Sequence, residues 1–166
     1  QCSATSAPGG VKLQKYCEMY GVKDPLYEIP FEHREKDLSN RFYYQEMDKC
    51  IRCGKCVRTC RELVGIDALV MAQKGSNAYV MPKGGATMAE TNCVSCGNCV
   101  SVCPVGALMP KSLYDFRQWE VKKVRTTCAY CGVGCQIDFS VKDGKIVDAT
   151  PAYGPSNQGL LCVKGK

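Results

Sequence analysis

Twelve of the fourteen cysteines of this 166-residue chain gather in three sets. The first, Cys50-x2-Cys53-x2-Cys56-x3-Cys60, recurs 43 positions later as Cys93-x2-Cys96-x2-Cys99-x3-Cys103, with CGKCVRTC aligned on CGNCVSVC. Disulfide frameworks scatter their half-cystines so that each bridge closes a longer loop, whereas runs this tight present several thiolates to one inorganic centre. Structural zinc uses two separated C-x2-C knuckles, and a triple run followed by x3-Cys does not divide into two of them. The spacing, with Pro104 after the second copy, instead matches a pair of 4Fe-4S clusters. Each loop offers three sulfurs to three corners of one cubane; the fourth cysteine lies too far round the following turn to reach it and serves the other cubane. The predicted sets are therefore Cys50, Cys53, Cys56 and Cys103 for a first cluster and Cys93, Cys96, Cys99 and Cys60 for a second. Gly54 and Gly97 fall where close backbone approach favours a residue without Cβ.

The third set, Cys128-x2-Cys131-x3-Cys135 within CAYCGVGC and then the distant Cys162, is less specific. Three cysteines on a loop with a remote fourth suit either zinc or an iron-sulfur cluster. Cys2 and Cys17 belong to no run. Cys17, in a helical pattern with Tyr16 and Tyr20, reads as a buried or half-buried thiol, and the single histidine, His33, as a loop residue.

The elements that must position these ligands are short, and they predict an α+β chain in three parts. Residues 1–47 read as an N-terminal segment and connecting arm. After the Ser/Gly/Pro-rich CSATSAPGG, Val11, Leu13, Tyr16, Met19 and Tyr20 suit a short helix. Pro25 and Pro30 then block a long one, and Phe42-Tyr43-Tyr44 suits an extended, half-buried segment whose aromatics pack in a core. Residues 48–120 contain the repeat and read as a two-cluster, bacterial-ferredoxin-like domain, with a strand at 77–82 (NAYVMP), a turn at 83–86 (KGGA) and the only tryptophan, Trp119, near its end. From 121 the composition changes. Ile137, Phe139 and Val141 alternate with polar residues, Asp143-Gly144 makes a turn and Ile146-Val147 resumes, which is the pattern of a β-hairpin. Residues 121–166 thus begin a small β-rich domain, in which a turn at Asn157-Gln158-Gly159 lets Cys162 return to the loop of Cys128, Cys131 and Cys135.

The formal charge of +6 does not argue for nucleic acid, because no segment concentrates Lys and Arg beyond short pairs such as Lys122-Lys123. A four-thiolate cluster is a net anion, so the basic excess reads as compensation for buried clusters. No stretch approaches the roughly 20 apolar residues of a membrane span, and no signal-peptide pattern is visible.

The stretch RTTCAYCGVGCQIDFSVKDGKIVDATP, completed by NQGLLCVKGK, resembles the N-terminal 4Fe-4S domain of molybdopterin oxidoreductases. With the repeat and LQKYCEMYGVKDP ahead of it, nearly the whole chain resembles the front of the catalytic subunit of soluble, NAD- or ferredoxin-linked formate dehydrogenases. The resemblance implies a molybdenum or tungsten bis-pterin guanine dinucleotide enzyme that oxidises formate to carbon dioxide or runs the reverse. It implies a third 4Fe-4S cluster on Cys128, Cys131, Cys135 and Cys162, and an electron relay to the pterin at Lys164, which matches the lysine of LCVKGK. It places the metal-ligating residue and the catalytic histidine and arginine beyond Lys166, so no catalytic residue is expected in this chain, which is expected to be a fragment of a longer polypeptide. Three 4Fe-4S clusters here, the pterin in the remainder, and ferredoxin-like, NAD(P)-linked or hydrogenase subunits as redox partners in a cytoplasmic complex complete the implication. The family commonly holds one more cluster upstream, on a histidine and a C-x2-C-x5-C run. Counted back from Leu13-Gln14, those positions fall on Cys2, Thr5 and Val11, so that cluster is expected to be absent. Two other readings stand beside it: the large subunit of an NADH-linked oxidoreductase or hydrogenase complex, which keeps the wiring and changes the chemistry, and a free-standing polyferredoxin carrier with no catalysis.

Overall fold

The computed structural model describes residues 12–22, 33–85, 87–114, 116 and 120–166. Cys2, Thr5, Val11, Pro25, Pro30 and Trp119 lie outside the described residues. The helical pattern of the N-terminal segment is realised as α1 (Lys12–Met19), where Cys17 is half-buried and Tyr16 and Tyr20 are exposed. His33 is an exposed loop residue whose Nδ1 lies 2.5 Å from Asp48 Oδ2.

Of the three aromatics of the connecting arm, Phe42 precedes the first strand and is exposed rather than packed in a core, whereas Tyr43 and Tyr44 enter β1 (Tyr43–Gln45), every residue of which is buried. Its partner lies far along the chain: β1 runs antiparallel to β4 (Leu108–Pro110), with Tyr44 opposite Met109. Between them come α2 (Lys55–Arg58), the hairpin of β2 (Leu69–Ala72) and β3 (Tyr79–Pro82), and α3 (Asn98–Ser101). The strand expected at 77–82 begins at Tyr79, because Gly75–Asn77 is taken up by a 3-10 turn.

Successive strand residues face opposite sides, and β1 uses both. Tyr43 joins a core with Leu69, Val80, Val100 and Leu108, against which Cys50, Cys93, Cys99 and Cys103 pack. Tyr44 joins a second core with Met109 and Phe116, which Val121 and Val147 of the C-terminal unit complete. Burying side chains of this size contributes about 2 kcal/mol each, so the arm is cemented to both units.

The C-terminal unit is an antiparallel three-stranded meander, β5 (Lys122–Thr127), β6 (Gln136–Lys142) and β7 (Lys145–Pro151). Asp143 (φ 50°) and Gly144 (φ 74°) are both left-handed, as the two-residue turn joining twisted strands requires. The alternation read from Ile137, Phe139 and Val141 holds only in part. A register shift between Ser140 and Val141 leaves Ile137 and Ser140 as the buried residues of β6. β5 carries no apolar alternation and is an exposed edge, held by cross-strand partners: Arg125 lies opposite Asp138 and donates to both its oxygens, at 2.9 and 3.1 Å.

Candidate metal centres

Each ferredoxin-like cysteine loop is shaped by two left-handed residues at matching positions of the repeat. They are Arg52 (φ 59°) and Gly54 (φ 68°) in the first copy, and Ser95 (φ 54°) and Gly97 (φ 67°) in the second. That conformation turns backbone N–H groups inward: Arg52 N donates to Cys50 Sγ at 3.3 Å and Ser95 N to Cys93 Sγ at 3.4 Å. Gly54 and Gly97 then start α2 and α3, which carry Cys56 and Cys99.

The eight sulfurs group across the repeat. Cys50, Cys53, Cys56 and Cys103 line one cavity, walled by Met47, Ile51, Val80, Val105 and Leu108. Cys60, Cys93, Cys96 and Cys99 line another, walled on one side by Asn40 and Tyr43. Cys60 reaches it because α2 continues into a π-helical turn, Thr59–Leu63, and Ala68 N donates to its sulfur at 3.2 Å. Burial pushes the Cys56 thiol up to about 12, with Cys50, Cys103 and Cys53 adding to the rise, and burial likewise raises Cys50, Cys93 and Cys99. Such thiols give up their protons only to a strong Lewis acid, so metal loading and proton release are one event here.

These sets fit a polynuclear cluster better than a single ion. Tetrahedral zinc draws its four sulfurs to about 2.3 Å from one point. Among the described residues no three Cys, His, Asp or Glu side chains converge that closely; each set surrounds a cavity instead.

The third set lies at the open end of the β5–β6 pair, where Cys128 N donates to Cys135 O at 2.8 Å and extends the ladder by one pair. The return bearing Cys162 is pinned to this loop by Asn157. Its Oδ1 accepts from Gln136 N at 3.1 Å, and its Nδ2 donates to Ala152 O at 2.8 Å and Leu160 O at 2.9 Å. Ser156 Oγ adds a bond to Gly134 O at 3.1 Å. The turn read at Asn157-Gln158-Gly159 is present, with Gln158 and Gly159 both left-handed, and it brings Ser156 and Asn157 against Gly134 and Gln136 beside Cys135. Cys131 and Cys162 are exposed, as is Lys164 on the 3-10 turn Val163–Gly165.

Several residues around these sites carry no ligand signature in sequence. Asn40 donates to Ser95 Oγ at 2.9 Å, reaches Cys93 Sγ at 4.0 Å, and accepts from Phe42 N and Tyr43 N. Tyr43 donates its hydroxyl to Ser95 O at 2.9 Å, and Lys166 Nζ lies 5.5 Å from the centre of its ring. Asn98 accepts from Leu161 N at 3.0 Å, which ties the return strand of the third set to the helix of the second. Asn98 left a trace as the place where CGNC departs from CGKC, while Tyr43 reads only as a core aromatic and Lys166 only as the end of LCVKGK.

Comparison with known proteins divides the chain in the same way. Residues 121–166 match the family model of the molybdopterin oxidoreductase Fe4S4 domain, and residues 42–109 that of the ferredoxin-like domain of NADH-quinone oxidoreductase subunit 3. A G-type subunit of NADH-quinone oxidoreductase from Rhizobium meliloti is 33% identical over 99% of this chain and 20% of its own length. The alpha subunit of an NADPH-Fe(3+) oxidoreductase from Geobacter sulfurreducens is 30% identical over 99% of this chain and 19% of its own. A Staphylococcus haemolyticus protein provisionally named a formate dehydrogenase is 28% identical over 95% of this chain and 20% of its own. The chain therefore spans about a fifth of the length of these relatives. Among solved structures, an NAD+-reducing [NiFe]-hydrogenase superposes with a TM-score of 0.58 at 25% identity, covering 66% of this chain and 47% of that one.

Proposed function

We propose, from the premise that this chain is an electron-transferring iron-sulfur region of the molybdopterin oxidoreductase and NADH-quinone oxidoreductase G type, that it is the relay of a metal-pterin formate dehydrogenase or carbon dioxide reductase. The observation that carries the relay is the contiguity of three cysteine sets: the return of the third is bonded to α3 of the second through Leu161 and Asn98, and Cys56 of the first is a charge neighbour of Cys99 of the second. The proposed ligands are Cys50, Cys53, Cys56 and Cys103; Cys60, Cys93, Cys96 and Cys99; and Cys128, Cys131, Cys135 and Cys162. Bound there, 4Fe-4S clusters would supply one-electron storage and transfer.

The chain's own residues do the positioning. Apolar walls limit water at the first two sites, and N–H groups of the left-handed loops stabilise thiolate charge. Asn157 holds the third loop and its return together. Formate oxidation releases carbon dioxide, a proton and an electron pair, and the proposed entry point is Lys164, exposed beside Cys162 where a pterin-binding remainder would pack. A redox partner subunit in a multi-subunit complex is the proposed recipient.

The formate assignment follows from CAYCGVGC and LCVKGK and from the formate dehydrogenase name among the relatives. A second reading, with a nicotinamide nucleotide as electron source or sink in a G-type subunit, is favoured by the 33% and 30% identical relatives. Anaerobic addition of formate to the full-length protein separates them. Bleaching of iron-sulfur absorbance by formate, with molybdenum or tungsten copurifying, is the expected result. Reduction by NADH or NADPH while formate leaves the spectrum unchanged would overturn the formate reading in favour of the second.

A further inference from the structure

The first and second sites share a ligand pattern, and each has a cation near it: Arg52 is a charge neighbour of Cys50 at the first, and Lys166 lies against the loop of the second. Lys166 follows Cys162 by four residues, and its side chain runs back over the second site's loop. An ideal Cβ placed on Gly97 would meet Lys166 Nζ directly and Tyr43 Cζ at 2.7 Å, so the ammonium is pressed onto the backbone between Cys96 and Asn98. Burial alone depresses the Lys166 ammonium, while Cys99, Asp148 and Cys96 favour its charged form. The polar groups facing it across the adjoining cavity are Asp148, Asp138, Lys123 and Ser112, and the Ser112 hydroxyl donates to Asp148 at 3.0 Å. Neither cysteine cavity is itself lined by a lysine or arginine, so Lys166 acts on the second site across the loop backbone at Gly97.

Reducing a cluster adds one electron, and so one negative charge, to a group already anionic. A fixed positive charge within a few ångströms, in a wall that largely excludes water, stabilises the reduced form and raises the potential. We propose that Lys166, delivered by the turn that also bears Cys162, raises the potential of the second ferredoxin-like site. The inference rests on the relay reading and adds to it a residue that tunes one of its steps. It also gives the end of LCVKGK a job separate from that of Lys164.

The test is an anaerobic, EPR-monitored redox titration of the full-length, iron-loaded protein, with Cys60→Ser and Cys103→Ser assigning signals to the second and first sites. Lys166→Met is expected to lower the second site's midpoint, shifting its reduction equilibrium about tenfold, which is 59 mV for one electron. Lys166→Arg, which keeps the charge, should stay close to wild type, and Asp148→Asn should move the same midpoint upward. Clusters present but unmoved in Lys166→Met, or moved equally by Met and Arg, would overturn the inference and leave the relay reading standing. Wild-type protein without three clusters would overturn the relay reading itself. If Lys166→Met loses iron, the sign of the Asp148→Asn shift decides: an unchanged or lowered midpoint counts against the proposal.

Discussion

The first and second cysteine sites share one spacing, one pair of left-handed residues and one short helix, yet their walls have different chemistry. Met47, Ile51, Val80, Val105 and Leu108 enclose the first. Val64, Ile66, Leu69, Met88, Val94 and Leu108 wall much of the second as well, but Asn40 and Tyr43 join them, with hydrogen bonds that run from the arm at Asn40 and Tyr43 to the second loop at Ser95. Ligand spacing thus decides what binds, while residues with no motif decide how readily each site accepts charge. The difference has a simple origin. The second site is where three parts of the chain meet, the arm, the repeat and the C-terminal turn, whereas the first is enclosed within the repeat and the turn before it.

The comparison can be broken hardest through the cysteines that cross between repeats. Cys60→Ser should abolish the EPR signal of the second site and Cys103→Ser that of the first, each lowering iron from about 12 to about 8 per chain. Retention of the second site's signal in Cys60→Ser would show that each run holds its own fourth ligand. A smaller effect separates the two glycines. Gly54→Ala adds a Cβ whose one neighbour within 4 Å is Met71 Cε at 3.7 Å, so the left-handed backbone alone should cost about 1–2 kcal/mol. Gly97→Ala meets Lys166 and Tyr43 as well and should cost about 3 kcal/mol or more, read as a lower thermal midpoint of the iron-loaded protein. Equal losses would mean that Tyr43 and Lys166 yield without cost. The smallest change is Tyr43→Phe, which deletes the bond to Ser95 O and should cost about 1 kcal/mol, altering the second site's EPR line shape and leaving the first site's unchanged.

What was legible in sequence follows from the range of the interactions involved. The repeat, the hairpin turn at Asp143-Gly144 and the turn at Asn157-Gln158-Gly159 are local and could be read directly. β5 could not, because its Lys, Arg and Thr residues show no alternation and its stability comes from partners such as Asp138 on another strand. The arm was legible as an aromatic, extended segment, but its pairing with β4 depends on a contact across more than sixty residues that no local pattern encodes. Ser140 is buried where the alternation points to Phe139 and Val141, since one irregularity in register shifts which side chains face inward.

By itself the sequence determined the donor chemistry on offer: twelve cysteines in three sets, the first run and its second copy at spacings that favour a cluster over scattered disulfides. Tertiary structure alone decided which residues surround each set and how the sets adjoin. Asn40 and Tyr43, Asn98, and Lys166 come from three separate parts of the chain and converge on one site because strand pairing and the Asn157-held return bring them there. Ligand spacing is a property of consecutive residues. The electrostatic field at a site sums over whatever the fold packs beside it, and that sum exists only once the chain has closed.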